Sequence, residues 1–592
     1  MPHPQLSKEQ LVIVLSDCPR IQVDACPGSG KTTTLIACIK HWVEEGADPA
    51  SILVLSFSNA AVANVEAKLM EQGLQGLNVS TIHALGLQLI PDKPTVLTER
   101  ERLELVRRAI RAAAKNVAHD WPVISETRQR FKANMVRKLL SKKRALLHLI
   151  SVCSALDHDH DGIKDLARAR FGDVFKCCIS VLSMVLKHYD LAKREAGVLD
   201  YGDMVALATK HVKRSDAKWT HILVDEQQDC TAAQGVLVTQ LVRTTRAMFR
   251  SFGDPAQAIF GFAGSGGVNF QDLMADCELM TLTQSQRLPQ RIAALATAVG
   301  ELPSSSAIVS RRPGGTLSAI TCESEIDMAM RVCTLVKQQL AEKPEGRIAV
   351  LARTKAQIYR IDQALRAQGI WATPTPRGRY AVASALQWTD RMARLDDASV
   401  PMIERYLRSR RLTIVSAKVG WTAKLLHRGS KCTSISGGYR QAVNAYVYAH
   451  GSEMTEEERK ALRNDLMRWQ PYASKAVSPR AMWDEIRKMK KSHVGQVHLS
   501  TIHASKGLEW DTVIVVGVTE GVLPIRYAKD DWALEQERNL LYVAVTRAKG
   551  ALHLFHAPTC WARTGEELKD WSSIFTKRAA HLIPMTKSQR LC

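Results

Sequence analysis

The 592-residue sequence predicts an α/β protein of two parallel-sheet cores, each interrupted by a mainly helical insertion. Three observations carry this prediction. A short apolar run over residues 20–25 ends in the Gly-rich CPGSGK, and KTTTLIACIKHWVEEG then places apolar residues at helical spacing. Short β-type runs, each followed by helix-forming sequence, recur toward both ends of the chain, as parallel construction requires. The length exceeds what one hydrophobic core organises, and an apolar content of 46% can fill two.

The first core is read as residues 1–94 and 199–275, with further strands at ILVLSF (52–57), HILVDE (221–226) and AMFRSFGD (247–254). Residues 95–198 break this pattern: ERLELVRRAIRAAAKN and KANMVRKLLSKKRALLHLISV are helical, rich in Arg and Lys, and poor in strand signals. Strand patterns resume in a second core, 276–375 and 492–560, at TLSAITC (316–322), RIAVLAR (347–353), VHLSTIH (497–503), DTVIVVGV (511–518) and ALHLFHA (551–557). A basic helical stretch, 376–491, interrupts it, and 561–592 form a C-terminal tail. RRPGGT (311–316) reads as a surface turn.

Eighty-one Lys and Arg against 59 Asp and Glu give a net charge of +22, a balance that suits a polyphosphate partner and salt-dependent binding. The N-terminal MPHPQLSKEQ has no basic-then-apolar signal segment, and no run of about 18 apolar residues occurs, so a soluble, cytoplasmic protein without a membrane partner is expected. The 13 cysteines include no C-x-x-C pair, and the adjacent Cys177 and Cys178 fit no zinc spacing, so reduced thiols are expected.

The chemistry begins at Ala25, Cys26, Pro27, Gly28, Ser29, Gly30, Lys31 and Thr32, followed by Thr33, which match a phosphate-loop pattern with Ala25 at its first Gly position. Backbone N–H groups of such a loop cradle phosphates at a helix N-terminus, Lys31 reaches the β/γ oxygens and Thr32 ligates Mg²⁺. An ordinary Gly-rich turn is the competing reading, and the flanking strand and helix weigh against it. HILVDEQQD supplies a second half: at the end of an apolar strand Asp225 holds Mg²⁺ and Glu226 orients and deprotonates water. DHDHDG (157–162) opens like a calcium loop, but its twelfth position is Arg168 rather than Glu, so it reads as an acidic loop.

Taken in order from Gln10 to Lys549, these and further segments resemble the motif series of UvrD/Rep-type superfamily 1 helicases. SFSNAA (56–61), STIHALG (80–86), LDYGDM (199–204), FGDPAQAIFGFAG (252–264), LTQSQRLPQRI (282–292), VHLSTIHASKGLEWDTVIVVG (497–517) and LEQERNLLYVAVTRAK (534–549) carry the resemblance. It implies two RecA-like phosphate-loop NTPase cores. It also implies an ATP-dependent DNA helicase that uses Mg²⁺, translocates 3′→5′ on single-stranded DNA, and unwinds duplex at single-strand/duplex junctions in replication, repair or recombination.

The resemblance further implies roles residue by residue. Gln10 would read adenine, Gln257 would sense the γ-phosphate, and Arg287 and Arg547 would contact it, with Gly507 and Glu509 also at the nucleotide. DNA contacts would come from Phe57, Asn59, His83, Phe260, Phe262, Thr501 and His503. Three positions depart from the pattern. Gln286 stands where the family has a tyrosine stacked on adenine, which implies that base discrimination is looser or rests more on Gln10. Ala263 replaces an arginine near the nucleotide-to-DNA coupling region, and Gln227 replaces an aromatic residue.

Two other functions share parts of this pattern. A translocase that strips proteins from single strands without efficient unwinding would share every motif. An inactive nucleotide-gated DNA-binding module would lack a catalytic residue, whereas Lys31, Thr32, Asp225, Glu226, Gln257, Arg287 and Arg547 are all present.

Overall fold

The strand β1, Arg20–Ala25, sits inside a six-stranded sheet with β2 (Ile52–Ser56), β3 (Asn78–Thr81), β6 (His221–Asp225), β7 (Met248–Gly253) and β8 (Glu278–Leu282). Between β3 and β6 in sequence, β4 (Thr95–Val96) and β5 (Val198–Leu199) form a separate parallel pair. The computed structural model of the chain describes residues 6–91, 93–116, 143–155, 162–171, 181–212, 218–261, 268–368, 419–432, 434–450, 496–526, 528–558, 570–574, 579–582 and 585–587, with isolated positions between them.

The order of the first sheet is β3-β2-β6-β7-β1-β8, and the neighbouring strands pair in parallel. Such a sheet is covered on both faces, which explains why β2 is buried along its whole length and why the strands read as continuous apolar runs. Register then aligns the carboxyl ends: Asp24 pairs with Gly253, and Asp225 with Phe252. The loops that leave β1, β6 and β7 therefore open on one edge, the edge where open α/β sheets bind ligands.

The chain divides into two units, Met1–Ala319 with Val518–Leu552 and Cys560–Thr586, and Ile320–Gly517 with His553–Thr559 and Lys587–Cys592. In the first unit, β9 (Gln284–Pro289) and β10 (Val309–Arg312) pair in parallel. Residues 276–319 and 518–552, which the sequence reading gives to the second core, lie in this first unit. In the second unit, β12 (Ile348–Ala352) pairs in parallel with both β13 (Val497–Thr501) and β14 (Trp510–Val516) over a core that includes Val332, Val350, Ile361 and Ile514. Strands β11 (Thr316–Thr321) and β15 (Ala548–His556) fall on the predicted runs.

Helices Glu99–Asn116, Lys143–Ala155, Gly162–Phe171 and Leu182–Ala196 share an apolar core of Val106, Ile110, Leu146, Ile150 and Val185. At the neck of this bundle, beside the β4–β5 pair, a buried ion network joins it to the sheet unit. Lys193 Nζ lies 3.0 Å from Asp190, 3.0 Å from Asp200 and 2.7 Å from Asp203. Tyr189 Oη donates to Asp200 at 3.2 Å. Burial opposes the charge on Lys193, but Asp200 and Asp203 outweigh it and hold the ammonium well above its usual range. The LDYGDM segment thus serves as an anchor, and removing one partner of such a buried network costs about 3–5 kcal/mol because the remaining charge is left uncompensated.

Helices Val419–Ser430 and Ile435–His450 are described within 376–491. Most of that stretch, most of the tail 561–592, the 157–161 part of DHDHDG, Cys177 and Cys178 lie outside the described residues. Among the described residues no helix is long and apolar enough to cross a membrane.

Candidate nucleotide site and nucleic-acid track

The phosphate loop leaves the carboxyl end of β1 and turns through two glycines held at positive φ, Gly28 at 76° and Gly30 at 84°. Gly30 is the N-cap of helix Lys31–Glu44 and supplies no side-chain cap, so the first N–H groups of the helix face outward from the loop as an anion-binding end. Side chains could not replace the glycines: a Cβ at Gly28 would stand 2.3 Å from Arg287 Cβ, and one at Gly30 would stand 2.6 Å from Gln10 Nε2. Within the loop, Ser29 Oγ donates to Cys26 O at 2.8 Å, and Cys26 N–H donates to Leu282 O at 2.9 Å. Lys31 Nζ is 3.1 Å from Ala25 O, which folds the side chain back over the loop. Pro27 O accepts from Ser285 Oγ at 2.7 Å. Thr32 and Thr33 follow on the first turn, half-buried.

Helix Lys8–Val14 braces this loop. Its capping box joins Ser7 and Gln10 reciprocally, and Gln10 Nε2 also donates to Ser29 O at 3.0 Å. Gln10 is therefore a bolt between the first helix and the phosphate loop as well as a base-reading candidate. Glu9, which the sequence reading did not single out, accepts from Thr283 N–H at 3.0 Å and Gln284 N–H at 3.3 Å and so fixes the start of β9, the strand that carries Arg287. Gln286 is exposed, and its N–H donates to Gly28 O at 2.8 Å.

Beside the loop, β6 delivers Asp225 and Glu226. Burial first, and the neighbouring charge of Glu226 second, push the Asp225 carboxyl up to about 7, with Lys31 pulling the other way. A buried carboxylate held up by burial beside a second carboxylate is a pair of hard oxygen donors of the kind that suits Mg²⁺. Taken alone, the raised value means that the metal-free fold loses stability as pH rises from the ordinary Asp range, near 4, toward 7, because the folded chain holds the proton more tightly. Glu226 adopts φ 55°, a left-handed conformation that costs a non-glycine residue on the order of 1–3 kcal/mol and is found at sites where geometry matters more than stability.

Gln228 holds the Glu226 side chain. Its Nε2 donates to Glu226 Oε2 at 2.5 Å while its Oε1 accepts from Asp254 N–H at 3.1 Å. Gln227, at the position of the expected aromatic residue, is buried; its Nε2 reaches Asp24 at 3.4 Å and its Oε1 has no hydrogen-bond partner.

The carboxyl end of β7 closes the site. Asp254 Oδ2 accepts from Gln257 Nε2 at 2.7 Å and from Tyr542 Oη at 3.2 Å. Gln257 Oε1 in turn accepts from Arg547 Nη2 at 2.9 Å. Arg547 follows helix Asp531–Val545, is 2% exposed, and also donates from Nε to Val543 O at 3.0 Å. Burial lowers its pKa to about 10, and Arg287 adds to the shift while Glu226 and Asp254 oppose it, so the guanidinium stays charged at neutral pH. Two arginines sharing one neighbourhood leave positive potential for an incoming anion. The structure thus brings together Gln10, the phosphate loop, Asp225, Glu226, Gln257, Arg287 and Arg547 within the first unit.

Along the same unit, Phe57 and Phe260 stack with ring centroids 5.9 Å apart and planes 15° from parallel. Asn59 is exposed on the first turn of helix Asn59–Glu71. His83 packs on Tyr201, with ring centroids 5.0 Å apart, and burial lowers its pKa, which favours the neutral ring. Phe262 and Ala263 lie outside the described residues. Thr501, His503, Gly507 and Glu509 belong to the second unit. Thr501 caps the short helix Ile502–Ser505, and burial followed by the Arg353 charge lowers the His503 pKa to about 4. Gly507 has φ 81°, and Glu509 O accepts from Arg347 Nη2 at 2.5 Å.

Comparison with known proteins covers the phosphate loop, the carboxylate pair, Gln257 and Arg547, and Arg287 lies between the two matched ranges. The UvrD/REP helicase N-terminal domain model matches residues 6–278, and the UvrD-like helicase C-terminal domain model matches residues 448–558. ATP-dependent DNA helicase Rep of Salmonella typhimurium is 25% identical over 89% of this chain and 86% of its own length. DNA helicase II of Escherichia coli is 23% identical over 94% and 84%, and ATP-dependent DNA helicase PcrA of Leuconostoc citreum is 23% identical over 90% and 79%, respectively.

Proposed function

The chain belongs to the UvrD/Rep helicase family, and from that premise we propose that it hydrolyses ATP to move 3′→5′ along single-stranded DNA and displace the complementary strand at single-strand/duplex junctions. One observation carries the reading: Arg547, from the C-terminal signature, donates to Gln257 beside the carboxylate pair at 2.9 Å. Residues some 290 positions apart thereby share one hydrogen-bonded network.

In this reading the N-terminal N–H groups of helix Lys31–Glu44 and the amides of Gly28 to Gly30 bind the phosphates. Lys31 leaves Ala25 O and turns to the β/γ oxygens, so its present bond is the resting position of a side chain that moves on binding. Thr32 and Asp225 would hold Mg²⁺, which when bound neutralises charge developing between the β- and γ-phosphates. Glu226, fixed by Gln228, takes the proton of the attacking water. Arg287 and Arg547 stabilise the charge on the transferring phosphoryl group, with Gln257 between them and Asp254. Gln10 contributes to base recognition, and Gly507 and Glu509 complete the nucleotide contacts.

Phe57 and Phe260 offer aromatic faces to successive bases, a sequence-tolerant contact worth about 1–3 kcal/mol per base. Asn59, His83, Phe262, Thr501 and His503 extend the track. The domain reading proposed with it keeps cores at 1–94 with 199–275 and at 276–375 with 492–560 and insertions at 95–198 and 376–491, while 276–319 and 518–552 pack within the first unit.

Duplexes with a single-stranded tail of one polarity test the proposal. With ATP, strand displacement is expected from the 3′-tailed duplex and about tenfold less from the 5′-tailed one, since a 1.4 kcal/mol preference already gives that ratio. Equal use of both tails contradicts the polarity, and ATP-driven movement without displacement favours the translocase reading.

A further inference from the structure

Helix Asp531–Val545 lies against the segment from Asp254 to Gly261 and holds it at three points. Tyr542 Oη donates to Asp254 Oδ2 at 3.2 Å, Asn539 Nδ2 donates to Ala258 O at 3.2 Å, and Gln536 Oε1 accepts from Gly261 N–H at 3.2 Å. The three side chains follow at three-residue spacing, which places them on one side of the helix. The approach is built in: a Cβ at Gly261 would stand 2.4 Å from Gln536 Oε1, and a Cβ at Gly300 would stand 2.9 Å from the Tyr542 ring.

What the helix holds is short and carries two different residues. Gln257 hydrogen-bonds Arg547 and the same Asp254 oxygen that Tyr542 reaches, and Phe260, three residues on, stacks on Phe57. From Ala258 to Phe260 the backbone has no regular secondary structure. Its stiffness must come from what grips it, because an unsupported loop dissipates a displacement by small backbone rotations.

We propose that Gln536, Asn539 and Tyr542 are positioning residues that transmit nucleotide state at Gln257 to the Phe57–Phe260 pair. The inference rests on the reading that Gln257 senses the γ-phosphate and that the pair stacks on bases. A shift of Gln257 and Arg547 on nucleotide binding moves helix and segment as one body, so Phe260 is displaced against Phe57 and its hold on a base changes. Without the three bonds the same shift is absorbed between Ala258 and Phe260.

The test is the coupling between two ligands. Binding of a fluorescent oligo(dT) to the full chain is measured with and without a non-hydrolysable ATP analogue, and the ratio of the two Kd values is the coupling factor. Linkage requires DNA to change analogue affinity by the same factor, which checks the measurement. A parent factor of about fivefold or more, the lower end of ordinary allosteric coupling, is expected to fall below about twofold in Gln536→Ala/Asn539→Ala, with each ligand's separate affinity kept. Tyr542→Phe, which keeps the ring, is expected to lose part of the coupling. Gln536→Glu, which keeps an acceptor for Gly261 N–H, is expected to retain it.

An undiminished factor in the double variant overturns the proposal alone. Loss of both separate affinities together with a lower melting temperature makes these residues structural and also overturns it. A parent chain that binds DNA indifferently to the analogue overturns this inference and the proposed function together.

Discussion

Replacing Glu226 with glutamine is expected to lower DNA-stimulated ATP turnover about 10²–10⁴-fold, the range of a lost general base, while ATP binding stays within about threefold. The substitution is isosteric and keeps an oxygen that accepts from Gln228 Nε2, so the 2.5 Å contact and the strained backbone at φ 55° persist. Only basicity is lost. Phosphate release at saturating oligo(dT), compared with equilibrium binding of a fluorescent ATP analogue, separates the two effects. Turnover within about tenfold of the parent would move the base elsewhere.

Arg547→Ala is expected to lower kcat about 10³–10⁵-fold with a small change in KM, because the guanidinium acts on charge that develops only in the transition state. The lysine variant should not recover it. Arg547 uses Nε on Val543 O and Nη2 on both Gln257 and Thr546, a planar set of donors that one ammonium cannot reproduce. Turnover at saturating ATP, with melting temperature measured in parallel, distinguishes lost chemistry from lost folding. Recovery by lysine to within about tenfold would reduce Arg547 to a point charge.

Much of this site is legible in the sequence because its parts are local. Gly28, Gly30 and Lys31 are contiguous, and their flanking strand and helix follow from periodicity alone. Asp225 and Glu226 likewise end an apolar run. Legibility fails where a residue acts through a partner distant in the chain. Tyr542 and Asp254 lie within quoted motifs, yet nothing in either segment pairs two residues 288 positions apart. Glu9 reads as an ordinary first-turn acid until Thr283 and Gln284 present their N–H groups to it.

Arg250 shows the same limit from the opposite side. A charged residue in the run AMFRSFGD suggests a solvent-facing position, but it is fully buried and donates to Ser16 O, Cys18 O and Phe249 O at 2.7–2.9 Å. Backbone carbonyls, invisible to a reading of side-chain types, replace its hydration. The resemblance to UvrD/Rep helicases supplied Gln257, Arg287 and Arg547 as a set; residue chemistry alone would have left Arg547 as one arginine among many.

One network joins ATP hydrolysis to a single-stranded DNA track in the proposed function. The most direct measurement is the ATP turnover of the full chain with and without oligo(dT), with Lys31→Ala alongside. Turnover is expected to rise at least about tenfold with single-stranded DNA and to be abolished in the Lys31 variant, since the Lys31 ammonium supports the transferring phosphoryl group. Turnover indifferent to DNA, or surviving Lys31→Ala, would contradict it.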